Sequence, residues 1–147
     1  MTKHTLIHAG TAVDNPHLYN VVIGTDMGQF SGTVECREED FDHESKYFGY
    51  ELAEIKALIK YAKAKARHYD ALWQDLVNFW REMSQTRTYD RDAFWVKKIA
   101  QRVDEYYDKA KEWKELARHM KETYHVKIQT FDALNKKRNR CEEYNHD

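Results

Sequence analysis

The chain has 147 residues, of which 41% are hydrophobic and 33% charged, with a formal net charge of −1, two cysteines, five glycines and one proline. That balance excludes collagen-like, disulfide-rich and low-complexity classes, and the length supports one domain that buries a core without staples. No apolar run approaches the roughly 18 residues of a membrane span, and no signal-peptide pattern opens the chain, so a soluble, intracellular protein without a membrane partner is expected. Cys36 and Cys141 stand alone, which suits a reduced compartment and does not suit a metal knuckle.

Glycine, proline and charge are unevenly divided. Gly10, Pro16, Gly24, Gly28, Gly32 and Gly49 account for all of the two turn-forming types, leaving the last 98 residues without either. Residues 1–49 hold three Lys/Arg against eight Asp/Glu, while residues 50–147 hold 21 against 17. A globally basic nucleic-acid binder is therefore disfavoured.

The first 47 residues predict a small antiparallel sheet. Thr5 to Val13, Leu18 to Ile23 and Gln29 to Cys36 are rich in Val, Ile, Thr, Leu and Phe, with turn residues at 14–16 and 24–28 between them. In the third strand Phe30, Gly32, Val34 and Cys36 share one face, which can cover a core.

The hydrophobic period then changes. Phe48, Leu52, Ile55, Ile59, Ala62, Ala66, Tyr69, Trp73, Leu76, Trp80 and Met83 follow an unbroken 4,3 spacing, which predicts a helix over 48–84 with a single apolar seam, about 55 Å long. Residues 84–88 break the pattern with turn and capping types, and Thr88 or Asp90 can cap a second helix. Ile99, Val103, Tyr106, Ala110, Trp113, Ala117, Met120 and Tyr124 then repeat the spacing over 90–122. Two matched seams joined by a short connection predict an antiparallel helical hairpin.

The C-terminal end leaves two readings. Residues 123–131 are β-branched and alternate, as a strand returning beside the sheet would, yet Tyr124, Ile128, Phe131 and Leu134 continue the helical spacing. The strand is slightly favoured, with residues 132–147 as a polar tail carrying the basic run Lys136, Lys137, Arg138 and Arg140. The expected fold class is α+β: three or four antiparallel strands followed by a long two-helix hairpin.

Catalytic and cofactor motifs are absent from the sequence: it has no GxSxG, no GxxxxGK[ST] and no HExxH, and no cofactor is expected. Gly24, Gly28 and Gly32 are best explained by a hairpin turn. The acidic run from Glu38 to Glu44 lacks the regular ligand spacing of a calcium loop, and helix capping explains it better than a metal site. An enzyme is the least supported class, with Asp40, Asp42 and His43 as the residues that would carry it.

The hairpin tip is richer. Phe79, Trp80, Arg81, Arg87, Tyr89, Arg91, Phe94 and Trp95 gather rings and guanidinium groups within seventeen residues. Flat rings stack nucleobases and guanidinium forks pair phosphate oxygens, while the same residue types dominate protein interfaces and also close hairpins by packing. Trp80, Arg87, Tyr89, Arg91 and Trp95 are the candidate ligand- or partner-binding residues. Further apolar positions beyond the seam, among them Leu58, Leu72, Val77, Tyr107 and Leu116, predict self-association.

The strand-to-helix junction carries a resemblance. Gly32 to Cys36, then Asp40-Phe41-Asp42, then Gly49, Leu52-Ala53 and Lys56-Ala57 resemble a pattern of small phage proteins, in which a strand ending G-x-x-x-C leads through an acidic D-F-D-like turn into a helix reading G-x-x-[IL]-A-x-x-[RK]-A. The chain is similar here to the phage Thoeris anti-defense sponges of the first described type. The resemblance spans residues 29–60 and carries over no ligand-binding residue. It implies an N-terminal sheet with C-terminal helices, and an oligomeric phage protein in the host bacterial cytoplasm that sequesters a cyclic nucleotide or cyclic ADP-ribose-type immune signal without cleaving it. The competing expectation is an anti-CRISPR-like inhibitor or adaptor that binds a host immune protein through the hairpin.

Overall fold

The computed structural model describes residues 3–86 and 94–145, with side chains described as far as residue 138. Three strands, β1 (Thr5–Thr11), β2 (Leu18–Thr25) and β3 (Gly28–Glu35), form an antiparallel sheet in the order β1-β2-β3. A 3-10 turn, Glu38–His43, leads to helix α1 (Lys46–Ser84), and helix α2 runs from Phe94 to Asn145. The class is α+β, as expected. Among the described residues no helix is long and apolar enough to cross a membrane.

The chain divides into two compact units, the first holding the sheet and its covering helical segments and the second Ala62–Leu116. In the first unit, alternation along β2 points Tyr19, Val21 and Ile23 to one face, where all three are buried. Val21 and Ile23 pack on Ala53 and Ala57 of α1, flanked by Phe30, Val34, Tyr50 and Leu58. The small residues of α1 and Gly32 of β3 allow helix and sheet to meet backbone to backbone. Gly28 takes φ 103° and makes the β2–β3 turn, so of the glycines read as turn formers Gly28 serves that role and Gly32 serves packing. Gly49 lies inside α1 against the Tyr19 ring.

One sheet edge is capped. In the two-residue hairpin Thr25 pairs with Gly28, so Ser31 and Thr33 turn their backbone groups away from β2. Lys60 Nζ donates to the Ser31 carbonyl at 2.8 Å and Lys56 Nζ to the Thr33 carbonyl at 3.2 Å.

The second unit is a pair of helical segments. Tyr69 faces Tyr106, and from Asp70–Lys114 (2.9 Å) through Trp73–Tyr107 to Leu76 beside Ile99 the α2 numbers fall as the α1 numbers rise, so the segments run antiparallel. Lys65 lies over the Trp113 ring at 5.8 Å. Every α1 seam position from Phe48 to Met83, and every α2 position from Ile99 to Tyr124, is buried or half-buried.

Three expectations change. Residues 123–131 are helical, not a returning strand, because the seam continues through Tyr124, Ile128, Phe131 and Asn135, while Val126, which alternation would bury, is 58% exposed. Part of the expected polar tail, 132–138, likewise belongs to α2, with Asn135 rather than Leu134 turned inward. The acidic run does not cap α1: it forms the 3-10 turn, α1 has no acidic residue in its first turn, and Ser45 Oγ accepts the Phe48 N–H at 3.3 Å. The expected caps Thr88 and Asp90 lie outside the described residues.

Candidate functional site

A cavity of about 240 Å³ opens in the first unit, where the junction between sheet and helix meets the last third of α2. Its origin is the local pattern of each element. The alternation that sends Phe30 and Gly32 inward also turns Val34 and Cys36 inward, and Gly49 yields the space that the Tyr19 ring occupies. Tyr19 meets Tyr50 edge-on at 5.2 Å. Across the helices, Phe48 stacks on Phe131 at 4.7 Å with planes 12° apart, and Ile128 and Tyr124, about one and two helical turns before Phe131, extend that wall.

One end of the cavity is strongly polar. Tyr19 donates its hydroxyl to Glu44 at 2.8 Å, and His17 Nδ1 lies 2.8 Å from the other Glu44 oxygen. His17 is held by stacking on Phe41, with centroids 3.7 Å apart. Arg37 donates to Asp40 at 2.9 Å and also to Asp132. Asn135 donates its amide to Asp40 at 3.1 Å, while its own Oδ1 is buried with no partner among the described residues.

These contacts set the protonation chemistry. Burial pushes the Glu44 carboxyl upward, but the hydrogen bonds from Tyr19 and His17 outweigh it and leave the group below the ordinary glutamate value. Burial, reinforced by the negative Glu44 and Asp40, pushes the Cys36 thiol up to about 11. Burial and then the bond to Glu44 raise the Tyr19 phenol further still. Cys36 is therefore a protonated, weakly nucleophilic thiol near neutral pH. Asp40, one of the residues an enzyme would use, is buried and engaged by Arg37 and Asn135, whereas Asp42 is exposed. Among the described residues no group of three or more His, Cys, Asp or Glu is disposed to hold a metal ion.

The second unit carries a shallow groove lined by Leu76, Phe94, Trp95, Lys98, Ile99, Arg102 and Tyr106. Phe94 is 75% exposed and Trp95 41% exposed, with Lys98 Nζ 5.4 Å from the centre of the Phe94 ring. Among the described residues neither Lys98 nor Arg102 is ion-paired. Of the candidate binding residues, Trp95 lines this groove and Trp80 is half-buried on the α1 seam. Arg87, Tyr89 and Arg91 lie outside the described residues. Lys98 and Arg102 escaped the sequence reading because they look like ordinary solvated helix charges. Their signal was their position one and two turns after the Phe94-Trp95 pair.

His17, Arg37 and Asp132 also went unselected, because they are scattered along the chain and only the fold joins them. By contrast, the junction pattern converges in space: Val34, Glu35, Cys36, Asp40, Gly49 and Leu52 all line the cavity. No family model, curated protein or solved structure matches the chain. The likeness at the junction therefore remains one of short motifs.

Proposed function

We propose that this is a noncatalytic phage anti-defense protein that sequesters a cyclic nucleotide or cyclic ADP-ribose-type immune signal in the host cytoplasm. The observation that carries the reading is the groove, where the Phe94, Trp95 and Tyr106 rings lie beside the Lys98 and Arg102 cations. Rings of this kind stack bases and cations so placed attract phosphates. A nucleotide needs both at once. The junction resemblance supports the same reading, and the raised Cys36 pKa argues against thiol catalysis at the cavity of the first unit.

A shallow groove on one chain retains a small ligand poorly, so we also propose that the working form is a homo-oligomer in which a second copy closes the site. Independently of the groove, exposed Leu6 and Ile7 on β1 give the sheet an apolar edge strand without charged residues, which supports self-association through the first unit.

The test mixes purified protein with a panel of cyclic dinucleotides, cyclic trinucleotides and cyclic ADP-ribose isomers under calorimetry, followed by heating. Binding with release of chemically unchanged ligand supports sequestration. No binding across the panel removes the reading, and ligand breakdown replaces it with catalysis.

A second reading rests on the 75% exposure of Phe94, which exceeds what a small-ligand site requires. An inhibitor or adaptor of the anti-CRISPR kind would present Trp80, Arg87, Tyr89, Arg91 and Trp95 to a host immune protein. A stoichiometric protein recovered from host lysate, lost in Trp95→Ala, would favour it.

A further inference from the structure

We infer that the cavity of the first unit is a binding site for a small ammonium-bearing aromatic molecule, a ligand of opposite charge to the one proposed for the groove. Charge and shape carry this assignment. The cavity walls include four carboxylates, Glu35, Asp40, Glu44 and Asp132, against one cation, Arg37. Arg37 is already committed, since it pairs with both Asp40 and Asp132. Glu35 accepts a hydrogen bond from Asn15 at the surface, which leaves Glu44 as the inward carboxylate that no Lys or Arg neutralises among the described residues.

Glu44 holds its charge there. Its hydrogen bonds to Tyr19 and His17 stabilise the carboxylate in a half-buried position, and two lone-pair directions on each oxygen leave capacity for a further donor. A phosphate or carboxylate entering this space would meet four carboxylates that outnumber the groups pairing them, Arg37 with Asp40 and Asp132 and His17 with Glu44. A ligand N–H group would meet acceptors.

The other walls select the body of the ligand. Tyr19, Phe48, Tyr124 and Phe131 present aromatic surface; Phe48 and Phe131 stack on each other, so a ligand meets the outside of that pair, and Lys56 Nζ lies 5.3 Å from the centre of the Tyr124 ring. Ring faces attract an ammonium group and stack on a flat partner, and aromatic walls combined with carboxylates are the usual chemistry of organic-cation recognition. At about 240 Å³ the space falls below the usual range for drug-sized ligands, so a single- or double-ring amine fits and a cyclic oligonucleotide does not. The site is thus distinct from the groove in residues, charge and ligand size.

Three indole probes of nearly equal size separate charge from shape: tryptamine, the neutral tryptophol and the anionic indole-3-acetate. Calorimetry on the full chain is expected to show tryptamine binding, tryptophol roughly tenfold weaker and indole-3-acetate not binding. Glu44→Gln should reduce tryptamine affinity by roughly tenfold and narrow its advantage over tryptophol. Phe131→Leu should weaken tryptamine and tryptophol alike, and Trp95→Ala should leave both unchanged. Near-ultraviolet circular dichroism checks that each variant is folded, and if Glu44→Gln is not, the partly exposed Asp132→Asn makes the same charge test. Equal binding of tryptamine and tryptophol, no tryptamine binding, or full tryptamine affinity in both charge variants would overturn the assignment. None of these outcomes bears on cyclic nucleotide binding in the groove.

Discussion

Gly32 of β3 lies directly against the Ala53 carbonyl of α1. A methyl group at Gly32 would fall 2.7 Å from the Ala57 nitrogen and closer still to the Ala53 oxygen. Neither neighbour is a flexible side-chain end, so Gly32→Ala must push the helix off the sheet. We expect a loss of about 1–3 kcal/mol or more, typical of overpacking, read as a lower urea midpoint. An unchanged midpoint would mean that α1 does not pack on β3 this closely.

Gly49 makes a parallel case inside a helix. Alanine there improves helix propensity by about 1 kcal/mol, yet its Cβ would sit 2.6 Å from the Tyr19 ring. The steric cost is expected to win, making Gly49→Ala destabilising in chemical denaturation. Adding Tyr19→Val should return part of the loss, a coupling that a pure propensity effect would not produce.

The cavity's acid and thiol give stability a defined pH dependence. Glu44 has a depressed folded-state pKa, so its contribution is present above the unfolded-state value and is lost as pH falls through the folded one. Cys36 is raised from 9.0 to about 11, so its contribution is present below the unfolded value and is lost as pH rises through that interval. Glu44→Gln should flatten the acid limb of a stability profile, and Cys36→Ala the alkaline limb above about pH 9. In a Cys141→Ser background, Cys36 should also react with iodoacetamide more slowly than a free cysteine.

At the groove, Trp95→Ala is expected to cost about 1–3 kcal/mol of nucleotide affinity, the usual worth of a base-stacking ring, with little change in stability because Trp95 is exposed. Arg102→Glu should weaken binding and reduce its salt dependence, since one phosphate contact is removed. Titrations at two salt concentrations would separate the two effects.

The continuation of α2 has its own test at Val126. On an exposed helical position alanine is the better residue, so Val126→Ala should be neutral or stabilising by up to about 0.5 kcal/mol. A sheet-facing strand residue would respond with a clear loss.

Much of this was legible along the chain. The 4,3 spacing named the buried seam residues of both helices through Tyr124, because burial on a helix repeats at a fixed interval. Alternation named Phe30, Gly32, Val34 and Cys36 as the inward face of β3 for the same kind of reason. The reading failed at 123–131, where a nine-residue window satisfied both periods and only the placement of Tyr124, Ile128 and Phe131 on the cavity wall within the first unit separated them.

The sequence by itself therefore determined the three strands, α1 and α2 as far as Tyr124, with their inward faces, which depend on periods of two and about 3.6 residues. Only the tertiary structure decided what meets across them. His17, Arg37, Glu44 and Asp132 share no local pattern, since their encounter depends on where β2, the 3-10 turn and the end of α2 come to rest. Gly32 and Gly49 carried no mark that distinguished packing from turning. Their roles follow from the absence of a Cβ where α1 meets the sheet and the Tyr19 ring.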